Sequence, residues 1–263
     1  RGYLSKSIDT YDLLNDRSDK YVTDFEYMFL SPYNNNFSKL VGDILTTGRV
    51  LKGQQAHCRK VYYSIFQRNG GQIILSKGED YDRPCTVDDV IDLVIRLGRV
   101  ELRPSFWAST ATRYELSYER GMLFVNGQTA KDDRAYVQRR INRLQSNYVV
   151  SECVDTDITF GPDLSGQHYI KFWLSNDAAD QPQILDCEMN LKREDDKWRD
   201  YSVEEDGTFT VEEETYTIPH WESVCAELVE TARELDLLDY FTVSIALDGK
   251  GGFTFQHFSA NPY

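Results

Sequence analysis

The sequence predicts an α+β fold built on largely antiparallel sheets. Three observations carry this expectation. Apolar, β-rich runs come as hairpin pairs, most clearly residues 61–66 and 72–75 around Arg68-Asn69-Gly70-Gly71. Helical segments interrupt the hairpins instead of alternating with single strands, which argues against a doubly wound parallel sheet. Finally, 263 residues suffice to bury one large domain, or two lobes sharing a cleft.

In chain order, residues 1–60 read as a helical N-terminal region. Leu13, Leu14, Tyr21, Phe25, Met28, Phe29 and Leu30 recur at roughly helical spacing as far as the break at Ser31-Pro32. Asn34-Asn35-Asn36 marks a loop, and 37–45 reads as a short helix behind it. After the 61–75 hairpin, Thr86 stands in N-cap position, Asp88 and Asp89 favour the positive helix end, and Gly98 closes a helix over 86–97. Strands are expected at 100–104, 113–118 and 122–125. The charged stretch 132–146 keeps Ala135, Val137, Ile141 and Leu144 at helix-compatible spacing. Residues 148–154, 168–174 and 183–188 read as strands, the last two flanking the acidic loop 177–180. The carboxylate-rich 194–214 reads as solvated surface with a small strand at 208–211. An amphipathic helix over 222–238 then leads to strands at 240–247 and 253–258, joined through Asp248-Gly249-Lys250-Gly251-Gly252. The segments 148–154, 168–174, 241–247 and 253–258 are expected to share one antiparallel C-terminal sheet.

Composition narrows the function classes. A net charge of −14 opposes binding to nucleic acid or an anionic membrane, so any phosphate site has to be locally basic. No window reaches the roughly 18 consecutive apolar residues of a membrane span. Arg1-Gly2-Tyr3-Leu4-Ser5-Lys6 lacks the apolar core of a signal peptide, and with the abrupt Asn261-Pro262-Tyr263 end it reads as part of a longer protein. Cys58, Cys85, Cys153, Cys187 and Cys225 are odd in number and include no C-x-x-C, which fits reduced thiols in the cytoplasm. There is no Walker A sequence, G-x-G-x-x-G, H-E-x-x-H or G-x-S-x-G. Trp107, Trp173, Trp198 and Trp221 could line a sugar surface, although core packing is the commoner fate of tryptophan.

The ending Ile218-Pro219-His220-Trp221, helix, strand, glycine turn, strand, Asn261-Pro262 resembles the end of the ATP-grasp fold, in particular the ATP-grasp proteins associated with sugar transfer in surface-polysaccharide clusters. The resemblance covers most of the chain. The segment 36–46, with Asn36-Phe37-Ser38 and Asp43-Ile44-Leu45-Thr46, is similar to an early motif of that family. It implies two lobes around a cleft, with 61–147 as the N-terminal part of the fold and 148–263 as the C-terminal lobe. Arg103, in Leu102-Arg103-Pro104, falls where the family carries a phosphate-touching Lys. The loop that follows, 105–112, holds no glycine, whereas the family's glycine loop closes over phosphates through its backbone amides. Glu152 matches the acidic end of the hinge strand that holds adenine and ribose. Lys171 replaces a cleft arginine and so loses the bidentate fork. Lys192 and Arg193 are further basic candidates, with a solvated pair as the alternative.

The resemblance implies ATP and Mg as cofactors of an active member, in which acidic residues and an Asn hold the metal. Here Ser244 stands for the first Asp, then His257 and Ser259 for the Glu and Asn; a two-residue shift keeps Asn261 but places Ser259 on the Glu position. Neither register supplies a pair of carboxylates, and imidazole suits Mg poorly, so no metal ligand is assigned. The cofactor-binding candidates are therefore Arg103, Glu152, Lys171, Arg193 and Asn261, with no catalytic residue assigned. The expected function is a degenerate ATP-grasp-like domain, a pseudoenzyme of surface-polysaccharide or cell-envelope biosynthesis. Two alternatives stay open: an active ATP-dependent carboxylate ligase with a shifted metal site, and a non-catalytic module appended to a glycosyl- or phospho-transferase. The partners implied are a sugar-transfer enzyme or other domains of a longer chain.

Overall fold

The structure, a computed structural model, describes residues 35–68, 71–77, 82–107, 111–129, 133–155, 157–161, 164–176, 181–192, 197–248 and 250–260. The helical reading of 1–34 lies outside them. Where one helix is expected over 37–45, a 3₁₀ helix (Asn35–Val41) is followed by α1 (Ile44–Val50). Asp43 makes the break. Its backbone is extended, and its carboxylate accepts from the N–H groups of Leu45 and Thr46, an N-cap that starts a new helix.

The first lobe is an eight-stranded antiparallel sheet. Its strands are β1 (Val61–Arg68), β2 (Gly71–Ser76), β3 (Arg83–Cys85), β4 (Arg99–Pro104), β5 (Tyr114–Glu119), β6 (Met122–Val125), β7 (Gln128–Thr129) and β8 (Tyr148–Ser151), in the order β3-β2-β1-β8-β4-β5-β6-β7. The β1–β2 hairpin forms as expected, pairing Ile65 with Ile74. Helices α2 (Val87–Leu97) and α3 (Asp133–Asn142) supply Val90, Ile91, Val94, Val137 and Ile141 to a core with Ile65, Leu102, Leu116 and Val150. Thr86 caps α2 in a reciprocal box with Asp89.

β8 corrects one expectation. Residues 148–154 do not join the C-terminal sheet: β8 inserts between β1 and β4 of the first sheet. Tyr148-Val149-Val150-Ser151 is buried on both faces. A continuous apolar strand of this kind suits the centre of either sheet, and sequence pattern alone cannot choose between them.

The second lobe contains β9 (Asp157–Gly161), β10 (Leu164–Ser175), β11 (Gln183–Lys192), β12 (Trp198–Ser202), the hairpin β13 (Thr208–Val211) and β14 (Glu214–Thr217), α4 (Trp221–Glu234), β15 (Tyr240–Leu247) and β16 (Phe253–Ser259). Its sheet runs β12-β11-β10-β15-β16, with β9 on β10, and every pair is antiparallel. Alternation sorts the side chains. Ile170, Phe172, Leu174, Phe241, Val243 and Ile245 join Val224, Leu228 and Ala232 of α4 in the core. Burying a side chain such as Phe172 or Phe241 stabilises by about 1.5–3 kcal/mol. The intervening residues face the other way and carry the chemistry. Among the described residues no helix is long and apolar enough to cross a membrane. All five cysteines are free thiols.

Candidate functional site

Antiparallel register lines up one polar row across the second sheet. Ser202 pairs with Glu188, Glu188 with Lys171, Lys171 with Ser244, and Ser244 with His257. Directly paired residues share a sheet face, so these five side chains line the face opposite α4. Asn190 and Asp200 pair one step along, as do Trp173 and Asp186. Lys171 Nζ lies 4.2 Å from the ring centre of Trp173. The Glu188 carboxyl is held above its usual range, first by burial and then by the Asp200 charge, with Lys171 pulling the other way.

The first lobe meets this row through β4. Arg103 is 1% exposed, and its Nη2 donates to the Gln256 carbonyl at 3.1 Å, at a bulge of β16. Its guanidinium lies 4.9 Å from the ring centre of Trp107. That indole meets His257 edge-on at 5.9 Å and donates from Nε1 to Thr47 Oγ1 at 3.2 Å. Glu101 pairs with Arg59 and stands 3.8 Å from Arg103, so two guanidiniums share one carboxylate. Among the described residues, Nε and Nη1 of Arg103 have no hydrogen-bond partner. Burial, then the charge of Arg59, pushes Arg103 down to about 9. His257 is lowered to about 4, chiefly by burial and then by Arg113, Arg103 and Lys171, so its imidazole is neutral at pH 7.

The charges of Arg103 and Lys171 both act on His257, after that of Arg113. Glu152 is engaged elsewhere: its Oε1 accepts from the Lys60 N–H at 2.8 Å, and its own N–H donates to the Lys60 carbonyl at 3.0 Å. Arg193 and Asn261 lie outside the described residues. Sequence reasoning missed Arg59, Arg113 and Thr47, which no motif marks. It noted Trp107 as one of four tryptophans and within the glycine-free loop, without giving it a role of its own. Its position in the glycine-free loop directly after Arg103 was the available signal.

The residues that the resemblance sets on metal positions do not fit a hard divalent cation. Ser244 pairs with His257 and Thr242 with Ser259, and none of these donors is a carboxylate. Among the described residues, no three His, Cys, Asp or Glu side chains are grouped so as to hold a metal ion. Arg103, with its orphaned donors, does fit an anionic group.

No protein-family model matches the sequence, and no curated protein matches it. Solved structures do. An ADP complex of purK, an N5-carboxyaminoimidazole ribonucleotide synthetase, superposes on 91% of this chain and 52% of its own at TM-score 0.51 and 9% identity. The ATP-grasp ligase PsnB with a minimal precursor matches at 0.49 and 13% identity, over 99% of this chain and 68% of its own. D-alanine–D-alanine ligase from Bacillus anthracis matches at 0.48 and 10% identity, over 98% and 74%. The chain spans about half the length of the synthetase it matches. Identities this low speak to architecture alone. Two antiparallel lobes, joined where Arg103 of β4 meets β16 and superposed over nine-tenths of the chain on the synthetase, make this an ATP-grasp fold.

Proposed function

We propose that this ATP-grasp domain has lost Mg-ATP chemistry and serves as a degenerate member in the cytoplasmic assembly of surface polysaccharide or cell envelope, acting with a sugar-transfer enzyme. One observation carries the reading. Trp107, from the loop where the resembled family places glycines, lies against both Arg103 and His257. The indole covers the residue that matches the family's phosphate-touching Lys. Ser244 and His257 beneath it supply no anionic oxygen for a metal. Losing one electrostatic donor at developing charge commonly costs about 10²–10³ in rate, and losing a metal ion costs more.

A second reading rests on the pair Asp186 and Glu188. These carboxylates lie on the same face as Lys171, and mutual repulsion helps raise the Glu188 carboxyl. They would be the ligands of an active ligase with a displaced metal. Calorimetry with ATP, with and without Mg²⁺, decides between the two. The degenerate reading expects neither micromolar Mg-dependent binding nor ADP release. Binding or ADP release that disappears in Glu188→Gln would establish the ligase instead. ADP release lost in an Arg103→Ala, Glu152→Ala double variant would return the chemistry to the family's own positions.

A further inference from the structure

A cavity of about 930 Å³ opens between α1, the start of β1, Lys77 and the edge strand β16. It shares Thr47, Arg59 and Trp107 with the site described above but lies on the other face of β16. Phe255 and Phe258 line it, and they pair with Ile245 and Val243, whose side chains belong to the core face; His257 pairs with Ser244 on the opposite face. Lys171, Ser244 and His257 take no part in its wall. In a chain of net charge −14, Arg49, Arg59, Lys60 and Lys77 converge here with Asp82, which Lys77 holds at 2.7 Å.

Arg59 is the buried member. Its side chain is 6% exposed and pairs with Glu101 and the Gln256 side chain. Among the described residues its Nε has no hydrogen-bond partner. Glu101 is already shared with Arg103, so the buried pair of guanidiniums keeps one positive charge in excess. An unpaired buried donor on a charged group is costly, and an anion that accepts from it offsets the cost. The rest of the wall is mixed: Thr47 and Gln55 add polar groups, and Ile44, Val61, Trp107, Phe255 and Phe258 supply the apolar part. Charged and polar anchors beside apolar side chains suit a ligand that has both a charged and an apolar part.

We propose that this cavity binds a small amphipathic anion, with the carboxylate or phosphate on Arg59 and the rim cations and the apolar body against Trp107, Phe255 and Phe258. The inference does not depend on whether the cleft turns over ATP. A carboxylate and a phosphate satisfy the same donors, and the test separates them.

The test titrates the full chain by calorimetry with 1-naphthoate, 1-naphthyl phosphate, inorganic phosphate and uncharged 1-naphthol. One or both naphthyl anions should bind, more tightly than phosphate or naphthol, and binding should weaken as salt rises. The tighter of the two identifies the head group. Arg59→Gln should weaken binding about tenfold or more, the loss of one charge-assisted donor pair. Arg134→Gln, which removes an exposed cation of α3 paired with Asp88, should bind as the parent does. If Arg59→Gln does not fold, the rim double variant Lys60→Ala, Lys77→Ala should show the loss. Three outcomes overturn the proposal: no binding of either naphthyl anion, binding indifferent to both cavity variants, or binding lost in Lys171→Ala and kept in Arg59→Gln, which puts the anion in the cleft.

Discussion

At the scale of single residues, His257 and Trp107 report how the cleft has changed. Burial, and then the neighbouring cations, lower the folded His257 imidazole from its ordinary 6.5 to about 4. Between those values the unfolded chain holds more protons, so His257 stability is complete above pH 6.5 and drains as pH falls towards 4. A His257→Gln variant should lose that part of the pH dependence. Denaturant midpoints of both proteins from pH 4 to 7 measure it, and parallel curves would contradict the neutral, buried imidazole. Trp107 is 7% exposed and ties the loop after β4 to α1 through Thr47. Trp107→Ala should cost about 3–5 kcal/mol as a large-to-small core change. Trp107→Phe keeps most of the volume and drops the Nε1–H bond, so its cost should be nearer 1 kcal/mol. Urea unfolding of the two variants separates packing from hydrogen bonding.

Among the elements, α2 is the one most completely written in sequence. Its cap, its acidic first turn, its apolar face and its closing Gly98 all act within a dozen residues. Thr86→Ala should cost about 1 kcal/mol, read as a shift in denaturation midpoint without change in slope. The α4 end depends instead on a distant neighbour. Gly207 has φ +81, and a Cβ there would come within 2.3 Å of the Trp221 ring, whose Nε1–H donates to the Glu205 carbonyl. Gly207→Ala therefore combines left-handed backbone strain with overpacking and should destabilise by about 2–3 kcal/mol. Near-parental stability in that variant would mean Trp221 swings away freely. No local pattern in the sequence pointed to this contact.

For the molecule as a whole, the two cores are separate clusters, one under α2 and α3 and one under α4 that also takes in Trp107 and Val149 of β8. A ligand that binds only the folded form raises stability by about 2.7 kcal/mol at one hundred times its Kd. Millimolar Mg-ATP should therefore leave the melting temperature unchanged if the cleft has lost its metal chemistry. A rise of several degrees that requires Mg²⁺ would refute that reading at this scale.

The α+β class, the hairpins, α2, α4 and the polar face of β10 and β15 were legible in sequence, because each rests on periods of 2 or 3.6 residues and on local turn chemistry. That residues 257 and 259 share one strand face was legible for the same reason, because side chains alternate along a strand. Tertiary structure decided what periodicity does not encode. It chose the sheet that β8 joins, the pairing of Ser244 with His257, and the engagement of Glu152 by Lys60. It also brought Arg59, 44 residues before Arg103 in the chain, to the same carboxylate and the same turn of β16. Long-range pairing depends on which buried surfaces fit and which charges can be satisfied together, and both are properties of the folded chain.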